Sequence, residues 1–411
     1  MRTIGMQRNL LLTLAMLVSA AAVSGTAAEA ARPDTDEFLT TGRFAEGAGA
    51  LQTHLKSEPK DDVARLGLGV IEFVQAVEKL GQKLAQYEFH TLGVQDLEEI
   101  LPRPDPATES LTYPKLRQIV QEWLNDLVRV DATLAKVESE QTKLPLHVGK
   151  VPLRFGGLRG RPVTLIPLMR DLRLTEAGKE DDFIIAFDRA DVDWLRGYCH
   201  ALLAIGELGL AHDAQDLFDV IAPRIFRRVK TPHEFLLEPP QESSRGLFDR
   251  EMVSDLIAAV HLMHFPVVEP KRMEVALGHF AQTIALSRQM WQRIVAEDDD
   301  DHEWIPSPRQ SSAINVKVSQ EMIDHWLIAV DEVELILQGK RLVPFWRGAP
   351  TRGVNLHRVF LESKQFDLVL WIQGAAATPF LEKGEITNPE TWQKINEAFG
   401  NQLWGFAFWF N

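Results

Sequence analysis

The chain of 411 residues has one cysteine, Cys199. That excludes an internal disulfide, so the fold must be held by packing alone. It also excludes a lipid-bearing cysteine at the start of a processed chain. Beyond the first thirty residues no apolar run is long enough to span a bilayer of about 30 Å. Positive charge is scarce as well: 44 lysines and arginines stand against 58 aspartates and glutamates, for a net charge of −14. With no basic stripe interleaved with aromatics, nucleic acid is excluded as an expected partner. A Gly-x-Ser-x-Gly elbow, a phosphate loop and a dinucleotide glycine fingerprint are all missing, and Phe155-Gly-Gly-Leu-Arg-Gly160 is too irregular to replace them. Cys199 and His200 are neighbours, but adjacent helical side chains point about 100° apart and cannot form a nucleophile–base pair. No catalytic residue and no cofactor are expected.

What is present begins with an address. Arg2 and Arg8 precede the apolar run Leu10 to Val18, and small residues follow to Ala28-Glu29-Ala30. This order predicts a secretory signal peptide over residues 1–30, cleaved near Ala28 or Ala30, and hence a periplasmic or secreted product with no transmembrane segment once it is removed. Its loss takes away two arginines and one glutamate, moving the net charge from −14 to −15. The remaining length, about 380 residues, favours two or three closely packed subdomains.

An architecture is declared between Gly42 and Leu80. Phe44, Ala48, Leu51 and Leu55 recur at helical spacing until Glu58-Pro59 ends the helix, and Asp61 or Asp62 then caps a second one. Val63, Leu66, Val70, Phe73, Val74, Val77 and Leu80 continue an apolar stripe along it. The pattern Gly42, Phe44, Gly47, Leu51 and Pro59, followed by Leu68-Gly69, resembles a tetratricopeptide repeat over about one repeat's worth of chain. The resemblance implies that Gly47 faces the close approach of Leu68-Gly69. Gly69 is then expected to be buried, and Gly81, past that contact, to tolerate alanine.

Further along, Leu101-Pro-Arg-Pro-Asp-Pro106 is a linker, and Leu116 to Val137 keeps helical spacing for about six turns. From Leu144 to Leu172 four prolines and repeated glycines punctuate short alternating runs, and Phe183 to Phe187 reads as another strand. Asp191 or Asp193 is expected to cap the next helix, with a partner helix from Asp213 to about Val229. A second break at Glu238 to Gly246 leads to helices near Arg250–Met263, Met273–Val295 and Val318–Leu337. The fold class expected is therefore mainly α: packed helical hairpins, repeat-like at the N-terminus, with a small β/loop segment at residues 144–187. Three regions after the leader follow from the breaks, at residues 31–101, 107–238 and 246–411. Five of the ten tryptophans, Trp346, Trp371, Trp392, Trp404 and Trp409, fall in the closing stretch 346–411 of the last of these, and its apolar tail from Leu403 to Phe410 is expected to dock.

Residues able to carry chemistry are few. His261 and His264 lie at i, i+3 on a predicted helix, with His279 as a third candidate metal ligand, although no familiar zinc spacing surrounds them. The run Glu297-Asp-Asp-Asp-Asp-His-Glu303 lacks the spacing of a calcium loop and reads as a solvated connection. Asp188, Asp191 and Asp193 read as helix caps. The expectation is a non-enzymatic exported helical protein that binds another envelope protein or a peptide. The alternative is a periplasmic enzyme or small-ligand binder with its pocket beside residues 144–172, signalled by convergence of His261, His264 and His279 or of Arg154, Arg159 and Arg161.

Overall fold

The computed structural model describes residues 31–88, 109–155, 162–164, 183–238, 250–313, 316–347 and 351–401, together with 403, 406 and 407. The leader, the linker at 101–106, and Arg159 and Arg161 lie outside them. Among the described residues the chain is mainly α-helical, and from Asp34 onward it forms one unit. No helix among them is long and apolar enough to cross a membrane.

The first hairpin forms as its spacing requires. A short helix α1 (Thr35–Thr40) leads into α2 (Phe44–Ser57), and Asp61 caps α3 (Asp62–Ala85) by accepting from the Ala64 amide at 3.0 Å. Leu51, Leu66 and Ile71 are sealed inside. Gly47 opens towards α1 and α3, where an added Cβ would lie 2.7 Å from Phe38 and 3.0 Å from Ile71. Gly69 is buried, but its partner is Leu134 at the end of α4 (Tyr113–Leu134) rather than Gly47. A third helix thus takes the close approach that the repeat pattern assigns to the first two. Helix α3 also continues through Gly81, and the space its missing Cβ leaves is filled by the ring of Phe155. The expected tolerance of alanine there is corrected by that contact.

Strand β1 (Lys143–Leu146) pairs antiparallel with β2 (Ile185–Asp188), so Lys143 stands opposite Asp188. Strand β2 runs straight into α5 (Arg189–Ala211). The helix therefore starts a turn earlier than the expected caps: Asp188 is the N-cap and Asp191 closes the capping box behind it. Asp193 is buried inside the first turns. After α6 (Gln215–Ile225) and α7 (Arg250–Leu262), β3 (His264–Pro266) leads to the long α8 (Pro270–Ala296), which starts on a proline that needs no hydrogen-bond partner in the first turn.

Helices α5 and α8 form the most extensive helix pair of the chain. They join segments that the second sequence break divides. Leu124, Leu127, Val130, Leu203 and their neighbours make the N-terminal core, while Met290, Trp291, Ile294, Ile323 and Trp326 make a second one with α9 (Gln320–Leu337); Trp194 packs against both. The remaining elements are short: β4 (Val343–Pro344), β5 (Gly353–Val354), α10 (Leu356–Glu362), β6 (Gln365–Asp367), α11 (Leu368–Gln373), β7 (Leu381–Glu382) and α12 (Pro389–Ala398). Strands β3 and β6 pair, as do β4, β5 and β7. Strand therefore extends beyond the 144–187 segment to which the sequence confined it, because these two- and three-residue pieces are too short to show alternation. In the tail, Leu403, Phe406 and Ala407 pack on the second core, with the Phe399 and Phe406 rings 5.3 Å apart.

Candidate functional site

A cluster of carboxylates is built where three chain segments meet. Strand β2 delivers Asp188, whose Oδ1 accepts from the amides of Ala190 and Asp191 at 2.7 and 3.2 Å. Helix α8 ends at Glu297, its last turn closed by Arg309, which donates to the carbonyls of Val295 and Glu297 at 3.0 Å each. The acidic run then doubles back. The His302 carbonyl accepts from the Ala186 amide at 3.2 Å, and this tie brings Glu303 behind β2. Oxygen atoms of Asp188, Glu297 and Glu303 all lie within 4.8 Å of one another, and these three form the one group of metal-ligating side chains that converges so among the described residues.

The rest of the run is tied down on its outer side. Lys143 donates to Asp299 at 2.8 Å and to Asp301 at 3.2 Å, and Asp300 accepts from Ser311 at 2.7 Å. The run is exposed, as expected of a connection, yet its two ends turn inward as ligand-like groups. Beside it opens a cavity of about 840 Å³, lined among others by Glu140, Lys143, Asp188, Arg189, Arg293 and Glu297. The cations on this wall already have partners: Lys143 the two aspartates, Arg189 and Arg293 the buried Asp193, and Arg293 also Glu140.

Electrostatics follow from that arrangement. Burial, and then repulsion by and hydrogen bonding to Asp188, push the Glu297 carboxyl up to about 8. Burial raises Glu303 to about 7, with Asp188 adding to it. Asp191, enclosed behind its capping box, is raised well above the carboxylate range by burial and by Asp188. A group of this kind keeps a proton at neutral pH and exchanges it for another cation, or passes it to a ligand, when one arrives.

No family model, curated protein or solved structure matches the chain. The reading of the site therefore rests on its own geometry.

The histidines expected as metal ligands are not brought together in this way. His279 is engaged by His200, their Nδ1 atoms 2.8 Å apart, while His264 Nδ1 faces the His261 carbonyl at 3.2 Å and both residues are exposed. Of the arginine trio, Arg154 is tied by its amide to Glu78 at 2.7 Å, and the other two lie outside the described residues. Sequence reasoning noticed Asp188 and the acidic run but left them apart. The Lys143–Asp188 register and the His302 carbonyl bond, which join them, have no signature in one sequence.

A second feature lies on the surface. Val253, Leu256, Ile257 and Val260 recur at three and four along α7, the spacing of a buried stripe, yet Leu256 is 62 % and Ile257 65 % exposed. The β3–β6 ladder and a bond from the Leu368 amide to the Met263 carbonyl (2.9 Å) set α11 beside it, where Val369, Leu370 and Ile372 are also exposed. Trp346 extends the face, its indole donating to the Ile372 carbonyl at 3.1 Å.

Proposed function

We propose that this chain is an exported, non-enzymatic helical protein that works by docking an envelope protein or peptide on the apolar face formed by α7 and α11. The observation carrying this reading is the exposed stripe on α7. An amphipathic helix ordinarily turns such a stripe inward, and a contiguous apolar surface rimmed by polar residues is the mark of an interaction site. The repeat-like hairpin supports the fold in this reading and does not itself bind, because its apolar faces are consumed by α1, α4 and the strands that follow. A photo-crosslinker placed at Leu256 or Ile372 of the mature chain is expected to capture a discrete partner from the envelope. One placed at exposed Ile205, on α5, is expected to capture none. Equal capture from both positions overturns the reading.

A second reading is favoured by one specific observation, the convergence of Asp188, Glu297 and Glu303 at the edge of an open cavity whose basic residues are already paired. In this reading the chain binds a small cationic ligand there, an amine or a divalent ion, which replaces the proton on Glu297. Calorimetric titration with calcium and with a simple diamine tests it. Uptake with proton release in the parent chain, lost in Glu297→Gln, supports it; no heat from either probe overturns it.

A further inference from the structure

Helices α5 and α8 run antiparallel and meet in a series of polar rungs. Asp193 pairs with Arg293, the Gly197 carbonyl accepts from the Thr283 hydroxyl at 3.3 Å, His200 meets His279, and Glu207 pairs with Arg272 at 2.8 Å. The first and last rungs are arginine–carboxylate pairs, whose guanidinium groups stay charged. The histidine rung differs in kind. Its contact is between two Nδ1 atoms, 2.8 Å apart with ring centroids at 5.0 Å, and a hydrogen bond between like nitrogens requires a single proton: one ring donates and the other accepts.

The surroundings fix which proton counts. His200 Nε2 lies 3.4 Å from Asp131 Oδ2 of α4, and Arg196 donates to the same carboxylate at 2.8 Å. Burial opposes the charge on Asp131, but the contacts with His200 and Arg196 outweigh it and hold that carboxyl below its ordinary value. The charged groups facing the imidazoles are thus Asp131 from α4, Arg196 and Glu207 from α5, and Arg272 from α8. Each of the two acids is already matched by an arginine. Among the described residues no further acid faces the two rings to neutralise a second imidazolium.

We propose that the His200–His279 pair is an acid-sensitive latch between α5 and α8, closed while the two rings share one proton and opened when both Nδ1 atoms carry one. Two N–H groups cannot face each other at hydrogen-bond distance, so the second proton separates the rings at the middle of the helix pair. Burial, and then the facing His200, hold the His279 imidazole below its ordinary value. The second proton therefore enters only below neutral pH. Because α5 begins at Asp188 and α8 ends just before Glu297, loosening their pairing slackens the support of the carboxylate group and makes its geometry depend on the acidity of the medium.

The test uses the full mature chain. Nitrogen-15 NMR of labelled histidines should show a hydrogen-bonded Nδ1 pair at pH 7.5 and a His279 titration below about 6.5. Amide exchange in the middle turns of α5 and α8, corrected for intrinsic rates, should be about tenfold faster at pH 5 than at pH 7. His279→Asn keeps a donor and an acceptor but cannot titrate, and should abolish that acceleration. If that variant does not fold, the NMR titration of the parent chain decides alone. Independent titration of both rings near 6.5 overturns the latch, as does an unchanged exchange ratio or an acid response that persists in His279→Asn.

Discussion

Arg293 of α8 holds the carboxylate of Asp193 on α5, a side chain with no exposure to solvent, and grips Glu140 at 2.9 Å with its other edge. Arg189 reaches the same aspartate from one turn before it at 2.7 Å. Removing one partner of a buried ion pair is far more costly than removing both, since the remaining charge is left desolvated. Because Arg189 still pairs with Asp193 when Arg293 is removed, Arg293→Met is expected to lower the unfolding free energy by no more than about 3 kcal/mol. Arg293→Met combined with Asp193→Leu should cost clearly less than the sum of the single changes. Urea unfolding of the three variants checks this; additive losses would mean that the pair is not coupled.

The glycines of α3 give a second test. Gly69→Leu must displace Leu134 and is expected to cost about 1 to 3 kcal/mol. Helix propensity alone would have Gly81→Ala gain up to about 1 kcal/mol. The Phe155 ring occupies the position of the new methyl group, so a loss is expected instead. Thermal unfolding of Gly81→Ala with and without Phe155→Ala separates the two effects: the alanine should be harmful with the ring present and favourable without it.

Much of this architecture is legible in the chain because helices longer than three turns carry their own period. Leu116 to Leu134 and Met273 to Ile294 show it plainly, and both helices are found there. Contacts between segments are a different matter. Asp188 looks like any helix cap, which it is, and nothing local to it specifies Glu297 or Glu303 as neighbours. The α7 segment was legible as a helix near Arg250–Met263, but whether its apolar face is covered depends on the third dimension. The strand pairs β3–β6 and β4–β5–β7 involve two or three residues each, below the length at which a period of two can be recognised.

Surface substitutions on α7 should separate binding from stability. Leu256→Ser with Ile257→Ser removes exposed apolar groups and is expected to change the unfolding free energy by less than about 0.5 kcal/mol. Ala259→Asp, on the buried side of the same helix, should cost several times more by enclosing an unpaired charge. Chemical denaturation gives both values. A large loss from the serine pair would mean that the stripe is packed rather than available to a partner.

The carboxylate group predicts an unusual dependence on pH. Glu297 holds its proton up to about 8 and Glu303 up to about 7 in the folded chain, whereas an unfolded glutamate releases it near 4.3. Between these values the folded state binds more protons than the unfolded one. Linkage then makes the contribution of these groups to stability full below about 4.3 and progressively lost as pH rises through 7 and 8. Glutamine reproduces the protonated carboxyl and cannot ionise, so Glu297→Gln should match the parent near pH 4 and exceed it in stability near pH 9. Glu303→Gln should do the same with its gain complete about one unit earlier. Urea unfolding across pH 4 to 9 measures the slopes. If Glu297→Gln follows the parent curve throughout, Glu297 is ionised in the folded chain at neutral pH, and the proton on which the exchange with a cationic ligand depends is absent.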